Sequence, residues 1–225
     1  MNKIIKDFKR PKKEIIEEFR KLPTPAICDS MERKNGMIGI RPVYPNIRIC
    51  GPAFTVYTYV GDNLMIHKAL EMAKQGDVLV VDGHKSYRAY WGEVMSIIAK
   101  TKGIEGLVID GGVRDSRILE KIKFPVFSRY ITPVGTWKNS PGSINVPIVC
   151  GDVTVNPGDL IIGDDDGVAV IPKENVKEVL EMTKKKLETE EVIKNRIIEG
   201  ESFYKITGLD KNLNRLNIKE EDFYD

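Results

Sequence analysis

The chain contains few cysteines and few histidines. Its three cysteines, Cys28, Cys50 and Cys150, are odd in number, widely spaced and form no CxxC pair. This pattern excludes a disulfide scaffold and a zinc ribbon, and it predicts reduced thiols in a cytoplasmic protein. Because only two histidines are present, His67 and His84, any mechanism that needs a histidine cluster is also excluded.

Long hydrophobic runs and an excess of one charge are lacking too. Apolar runs such as Val78–Val81 and Val168–Ile171 are far shorter than the roughly 20 residues that a membrane-spanning helix needs. The basic N-terminal sequence MNKIIKDFKRPKK has no apolar stretch of signal-peptide length. With 35 Lys and Arg against 33 Asp and Glu, the net charge of +2 argues against a broad basic face for nucleic acid. We therefore expect neither a membrane nor a nucleic-acid partner.

The remaining composition favours one α/β domain over residues 1–225. Hydrophobic residues make up 41% of the chain, which is enough for a sizeable core, and no repeat or Ser/Gly linker divides it. Helical spacing is present over 11–22 and over 24–33, where Thr24 is expected to be the N-cap. β-branched and aromatic residues predict a strand at 47–60, with a bulge or break at Gly51-Pro52.

Strands and helices then alternate, which is typical of parallel βαβ units. Helices are predicted for 63–74, 89–100 and 116–121, and strands for 77–82, 106–110 and 125–129. Short strands follow at 147–155, 159–162 and 167–171, and the turn sequences NPGD and GDDDG between them are typical of β-hairpins.

The C-terminal part is predicted to form one long helix, from Lys173 to Glu199. After Gly208 no useful periodicity remains, so that segment is expected to be either an arm over a neighbouring subunit or disordered. The acidic run Asp164–Asp166 resembles a metal cluster, but the glycine after it favours a hairpin turn.

The most informative stretch is WGEVMSIIAKTKGIEGLVIDGGVRD, which runs from Trp91 to Asp115. It predicts a helix, a buried strand and then a Gly-Gly turn at the strand's carboxyl end, where α/β sheets usually bind ligands. Arg114 offers a planar fork of donors for a carboxylate, and Asp115 offers a hard oxygen ligand for Mg²⁺ or Mn²⁺. The backbone N–H groups after Gly92 suit an anion. An ordinary Arg–Asp pair that caps a helix explains the same dipeptide equally well.

Other residues have two interpretations. His84, in a loop with Lys85 and Arg88, either contacts the distal part of an acidic substrate or belongs to a solvated loop. His67 is expected to have a packing or surface role, and Trp91 is expected to pack in the core rather than to line a site. The cysteines have no recognisable basic partner and are interpreted as core residues.

Several motifs together carry a family resemblance. They are GDVLVVDG…WGE…GLVIDGGVRD from Gly76 to Asp115, PVFSR, NVPIVCGDVTVNPGDLIIGDDDGVAVIP and GES. This combination resembles the RraA proteins and the class II aldolases of 4-hydroxy-4-methyl-2-oxoglutarate and 4-carboxy-4-hydroxy-2-oxoadipate. The resemblance extends from about Pro25 to Tyr204, so the N-terminal helix and the C-terminal tail would be peripheral.

The resemblance implies an α/β fold, a βα/β/α swivelling-domain-like sandwich with a long C-terminal helix. It also implies homotrimers or dimers of trimers, with active sites between subunits. In the family a glutamate from a neighbouring subunit's C-terminal helix assists, and Glu190 or Glu191 lies in the corresponding region here.

The aldolase branch has an acidic residue, twenty intervening residues and then Arg-Asp, which here are Glu93, Arg114 and Asp115. By resemblance, Asp115 binds the divalent cation, Mg²⁺ or Mn²⁺, and Arg114 binds the carboxylate and oxygen of a small 2-oxo acid. Glu93 holds a water on the cation, so Arg114 and Glu93 are the implied catalytic residues. The substrate-binding backbone is formed by Gly92, Glu93, Val94 and Met95.

The implied activity is cleavage of 4-hydroxy-2-oxo acids to pyruvate, with decarboxylation of oxaloacetate as a side activity. One departure bears on it, because the aldolases typically carry Asp where this chain has Glu93. A change of this kind in a residue beside a metal alters activity by roughly tenfold to a hundredfold. The alternative implied by the same family is a non-catalytic regulator that binds and inhibits a ribonuclease.

Overall fold

The computed structural model describes residues 2–216 and residue 218, and the chain divides into two compact units after Thr183. The helices are α1 (Lys13–Phe19), α2 (Thr24–Ser30), α3 (Leu64–Met72), α4 (Glu93–Thr101), α5 (Ser116–Ile122), α6 (Val176–Ile198), α7 (Phe203–Ile206) and α8 (Leu209–Arg215). The strands are β1 (Arg41–Pro42), β2 (Ile49–Tyr57), β3 (Val78–Trp91), β4 (Gly106–Val113), β5 (Val126–Ile131), β6 (Ser143–Ile144), β7 (Ile148–Cys150), β8 (Val153–Val155), β9 (Leu160–Asp164) and β10 (Gly167–Ile171).

The first unit is built on one mixed sheet with the strand order β1-β5-β4-β3-β2-β9-β10. Strands β2 to β5 are parallel neighbours, whereas β1, β9 and β10 pair in the antiparallel sense. The short strands β7 and β8 form a separate hairpin. The predicted α/β class with a long C-terminal helix is confirmed.

Two hydrophobic cores lie on opposite faces of the sheet, because side chains alternate along each strand. On β3, Leu79 and Val81 belong to one core, which also contains residues of α3, α4 and α5. Val78 and Val80 belong to the other, with residues of the β7–β8 hairpin and of β9 and β10. The sheet is therefore covered by helices on one face and by β-structure on the other.

Strand β2 joins the two parts of the sheet. Its residues Ile49–Pro52 pair with β9, and Ala53–Tyr57 pair with β3. The predicted bulge or break at Gly51-Pro52 is wrong, because the strand is continuous and changes its partner there. Glycine is needed for the close approach to the next chain segment, since a Cβ on Gly51 would lie 2.3 Å from the carbonyl oxygen of Gly76.

The predicted helix at 89–100 begins later than expected, at Glu93. Strand β3 continues through irregular pairing to Trp91, which is in register with Val113 of β4. Residues 89–91 are buried there, and the burial of a strand end outweighs their local helical spacing.

The predicted Gly-Gly turn is also wrong, because Gly111 and Gly112 belong to β4. A Cβ on Gly112 would lie 2.8 Å from the carbonyl oxygen of Arg88, so these glycines allow close strand contact. The turn comes at Arg114–Asp115 instead, and Asp115 has a φ of 60°.

The helix at 24–33 ends earlier than predicted, at Ser30, and its N-cap is Pro23 rather than Thr24. The Thr24 N–H donates to the Asp164 carboxylate at 2.9 Å, so a neighbouring strand end provides the acceptor. The turn at Asp164–Asp166 does join the hairpin of β9 and β10, as predicted.

The turn sequence NPGD does not join a hairpin, because β8 pairs with β7 and β9 pairs with β2. The long C-terminal helix is confirmed, with bounds at Val176 and Ile198. Part of the segment after Gly208 forms α8, and residues 217 and 219–225 lie outside the described residues. The single-domain boundary stays a prediction. None of the described helices combines the length and hydrophobicity needed to cross a bilayer.

Candidate functional site

A cavity of about 390 Å³ lies where β3 and β4 end, and it is lined by all six site residues predicted within the Trp91–Asp115 stretch. These residues are Gly92, Glu93, Val94, Met95, Arg114 and Asp115. The position at the carboxyl ends of parallel strands is typical of ligand sites in α/β sheets, and the volume suits a small molecule.

Two strand-to-helix corners meet at this cavity. In one, Gly92 connects β3 to α4, and in the other, Arg114 and Asp115 connect β4 to α5. The Arg114 N–H donates to the carbonyl oxygen of Trp91 at 2.9 Å. The Glu93 N–H donates to Asp115 Oδ2 at 3.0 Å, so a side chain of one corner is fixed by the backbone of the other.

Gly92 is required by this close contact. A Cβ on Gly92 would collide with Asp115 Oδ2, so any other residue would displace this carboxylate from the Glu93 N–H. The backbone itself would accept another residue, because Gly92 has an extended conformation with a φ of −167°. The glycine of the WGE motif therefore allows the two corners to pack closely.

The N-terminus of α4 presents backbone donors to the cavity. The first intrahelical bond runs from the Ser96 N–H to the Gly92 carbonyl oxygen at 3.1 Å. The N–H groups of Val94 and Met95 precede that bond, and no described residue accepts a hydrogen bond from them. Such donors, with the positive end of the helix dipole, suit a carboxylate.

Asp115 has the left-handed backbone conformation that non-glycine residues rarely adopt. Its carbonyl oxygen accepts from Ile118 and Leu119 at 2.8 and 3.0 Å, which begins α5, but its side chain makes no capping bond to that helix. Arg114 Nε lies 3.7 Å from Asp115 Oδ2. Arg114 and Asp115 thus form a salt bridge, as expected for an ordinary Arg–Asp pair. The Asp115 carboxylate, however, accepts the Glu93 N–H at the neighbouring corner and does not cap α5.

The residues present are compatible with a divalent cation that has few protein ligands. Asp115 lines the cavity, and within the described chain its second carboxylate oxygen has no hydrogen-bond partner. Glu93 supplies another carboxylate to the same cavity. The described residues contain no group of three or more His, Cys, Asp or Glu side chains arranged for a metal. Mg²⁺ accepts one or two carboxylates when substrate and water complete its shell.

Asn63, His67 and Lys138 form another part of the cavity wall, called here the distal wall. Asn63 Nδ2 donates to the Tyr90 carbonyl oxygen at 2.8 Å, whereas its buried Oδ1 has no partner among the described residues. The buried Nε2 atom of His67 has none either. Burial lowers the pKa of the His67 imidazole, and the Lys138 charge lowers that pKa further.

The interpretation of His67 as a packing or surface residue is corrected, because His67 lines the cavity. Asn63 and Lys138 also line the cavity but were not predicted from the sequence as site residues. The sequence signal for Asn63 is weak, since it is only a polar residue before a helix. Lys138 lies in an irregular segment with no pattern to single it out.

The structure does not bring His84 to the cavity lining. Its Nε2 lies 2.7 Å from the Thr58 carbonyl oxygen, and its ring meets the edge of Tyr57 with 5.0 Å between centroids. Lys85 pairs with Asp152 at 2.5 Å. The proposed contact of this segment with a substrate therefore finds no support, and these residues hold a bulged part of β3.

Predictions were also made for Trp91, for the three cysteines and for the C-terminal glutamates. Trp91 is buried, as expected, and also lines the cavity. Cys50 and Cys150 are buried core residues, and burial raises the pKa of Cys50 to about 12, whereas Cys28 is half-buried. Glu190 pairs within α6 with Lys186 at 2.8 Å, and the role of a C-terminal glutamate stays a prediction.

Comparison with known proteins identifies the family of the chain. The RraA-like family model, described as Aldolase/RraA, matches residues 24–170. A protein of Halalkalibacterium halodurans named "Putative 4-hydroxy-4-methyl-2-oxoglutarate aldolase" is 42% identical over 189 residues, which cover 83% of this chain and 90% of that protein.

Solved structures show the same fold. An uncharacterized protein from Pseudomonas syringae pv. tomato has a TM-score of 0.79 and 26% identity, with coverage of 88% of this chain and 95% of that one. A Streptomyces coelicolor protein, described as an unusual member of the RNase ES inhibitor RraA family, has a TM-score of 0.75 and 26% identity, with coverage of 83% and 100%. Since the family model matches more than half of its residues, the chain belongs to the RraA-like family.

Proposed function

We propose that this protein is a divalent-metal-dependent lyase that cleaves 4-hydroxy-2-oxo acids of the 4-hydroxy-4-methyl-2-oxoglutarate type to pyruvate, and that also decarboxylates oxaloacetate. One observation carries the proposal: Arg114, Asp115 and the free amides of α4 line one small cavity. The name of the relative from Halalkalibacterium halodurans supports the same reaction class.

The amide donors of Val94 and Met95 suit the carboxylate of a 2-oxo acid. Asp115, with Glu93 nearby, would hold Mg²⁺ or Mn²⁺, and that ion would supply Lewis-acid polarisation of the 2-oxo group. Arg114 contributes a fixed positive charge in the same cavity. When the C3–C4 bond breaks, its electron pair moves toward the 2-oxo oxygen, and Arg114 stabilises the negative charge there.

We assign the proton transfers to Glu93 and to a water that it orients. In the retro-aldol reaction the 4-hydroxyl group loses its proton as the C3–C4 bond breaks, which leaves a carbonyl product. A proton is then added at C3, which gives pyruvate. Oxaloacetate follows the same course, since loss of CO2 leaves the electron pair at the same carbon. The extra methylene of Glu93, relative to Asp, shifts where this water sits.

The alternative is a non-catalytic regulator that binds a ribonuclease. Its support is the shared fold of the Streptomyces coelicolor neighbour and the family itself. That interpretation gives no role to a cavity in which helix donors, an arginine and two carboxylates meet. The lyase is therefore the function that the geometry supports best.

We also propose self-association, with homotrimers or dimers of trimers, in the cytoplasm. Large apolar side chains are exposed around the carboxyl edge of the sheet, including Tyr59, Tyr87 and Trp137, each 58–59% exposed. Exposed patches of this kind commonly mark interfaces between proteins. The three cysteines are unpaired, which supports a reducing compartment.

Arg114→Ala is predicted to lower kcat/KM for oxaloacetate decarboxylation by about a hundredfold or more, because the developing charge loses its fixed donor. Pyruvate release should be measured with Mg²⁺, Mn²⁺ or EDTA, from oxaloacetate and from 4-hydroxy-4-methyl-2-oxoglutarate. The matched control is Arg117→Ala, an exposed arginine on α5 outside the cavity lining. Full activity of Arg114→Ala would refute the proposal, and no turnover with either metal together with ribonuclease capture would favour the regulator.

Lys138→Met is predicted to raise KM for oxaloacetate by about tenfold, because the distal wall then lacks the cation that faces the substrate's second carboxylate. Lys68→Met is the control, since Lys68 lies beside His67 on α3 but is exposed and does not line the cavity. Steady-state kinetics at saturating Mn²⁺ measures both. Equal KM values for Lys138→Met and wild type would exclude this role of the distal wall.

Sedimentation equilibrium is predicted to give three or six times the 25.4 kDa mass of one chain. Trp137→Glu should shift the protein toward monomer, because a charge replaces an exposed apolar contact. A wild-type monomer at micromolar concentration would contradict the proposed self-association.

A further inference from the structure

A buried hydrogen-bond chain lies directly behind the cavity corner. Ser96 is completely buried within α4, and Trp91 is 1% exposed. Trp91 Nε1 donates to Ser96 Oγ at 2.6 Å, and Ser96 Oγ donates to the Gly92 carbonyl oxygen at 3.0 Å. The direction is fixed, because an indole N–H can only donate and therefore leaves the hydroxyl proton for the carbonyl.

This chain fixes the peptide group from which α4 starts. The Gly92 carbonyl oxygen accepts both the Ser96 N–H at 3.1 Å and the Ser96 hydroxyl. The next N–H, that of Glu93, is the one that donates to Asp115. A rotation of the Gly92 peptide would therefore have two effects at once. It would turn the amide donors of α4, and it would change the distance between the Glu93 N–H and the Asp115 carboxylate.

Trp91 contacts the second corner as well. Its carbonyl oxygen accepts the Arg114 N–H at 2.9 Å. Its ring stacks on Phe124, just beyond the end of α5, with 5.9 Å between centroids and 17° between planes. The buried Trp91 side chain thus contacts α4 through Ser96 and the segment after α5 through Phe124.

We infer that Trp91 and Ser96 are positioning residues for 2-oxo acid binding, and this inference rests on the proposed function. They do not touch the reacting atoms through the bonds described here. They hold the amide donors of Val94 and Met95 at a fixed angle to Arg114 and Asp115. Preorganised donors bind a carboxylate more tightly than donors that must be ordered on binding.

Ser96→Ala is the main test, because it removes the hydroxyl group and introduces alanine, the residue with the highest helix propensity. We expect the Kd for pyruvate, measured on the Mn²⁺-loaded protein, and KM for oxaloacetate to rise about tenfold. The Kd for Mn²⁺ should change less than twofold, because the cation would bind the Asp115 oxygen that makes no hydrogen bond to the Glu93 amide, and a single carboxylate ligand can follow a small rotation of the peptide. Trp91→Phe, which removes the N–H donor but keeps an aromatic ring, should shift the same quantities, and the double variant should add little.

Ser30→Ala is the matched control. Its hydroxyl also donates to a carbonyl oxygen one helical turn earlier, that of Ala26 at 2.8 Å, but on α2 and outside the cavity lining. This control reports what loss of a buried serine hydroxyl does to stability alone. If Ser96→Ala raises KM and the pyruvate Kd no more than Ser30→Ala does, or if the Mn²⁺ Kd rises in parallel with them, the positioning role is refuted.

Hydrogen exchange separates failure of this inference from failure of the proposed function. Ser96→Ala is expected to speed exchange of the Glu93 amide about tenfold relative to Ser30→Ala, whether or not the protein turns over oxaloacetate. If wild type shows no turnover but this exchange effect is found, the lyase proposal fails while the positioning network stands. Unchanged exchange at Glu93 would overturn the network itself.

Discussion

The hydrogen bond between the Glu93 amide and the Asp115 carboxylate is the contact on which the site depends. It joins two strand-to-helix corners that are distant in sequence, at 3.0 Å. Gly92 leaves room for it, since any side chain there would collide with Asp115. Because the carboxylate is held by the backbone, Arg114 and the amides of α4 keep a defined relation to it. The cavity is a consequence of how these two corners pack.

The chemistry follows from the mixture of charges at that point. Carboxylates alone would repel a 2-oxo acid, and arginine alone would bind any small anion. Asp115 and Glu93, with Arg114 and the helix donors, suit an anion that also coordinates a cation, and a 2-oxo acid is such a ligand. The distal wall adds a second cation, Lys138, beside His67, whose pKa is lowered by burial and by the Lys138 charge.

Much of this site could be predicted from the sequence, because its residues lie in two short motifs that follow strands. WGE and GGVRD indicated residues that line the cavity, although the secondary structure predicted around them was partly wrong. Local patterns cannot show that β3 continues to Trp91, since that depends on pairing with Val113. Nor can they show that Gly111 and Gly112 allow close strand packing rather than a turn.

The distal wall and the chain through Trp91 and Ser96 were beyond sequence reasoning for another reason. Asn63, Lys138 and Ser96 are ordinary polar residues, and only the folded structure shows that the first two line the cavity and that the third is buried behind it. Ser96 in particular resembles any serine within a helix until its burial and its two hydrogen bonds are known.

The most direct measurement is the affinity of the protein for Mn²⁺ in the presence and absence of pyruvate, followed by electron paramagnetic resonance for wild type and Asp115→Asn. Wild type is expected to bind Mn²⁺, pyruvate is expected to tighten this binding at least several-fold, and Asp115→Asn is expected to lose both effects. Equal Mn²⁺ binding by the two proteins, or binding that pyruvate does not change, would contradict a shared cation and 2-oxo acid site at this corner.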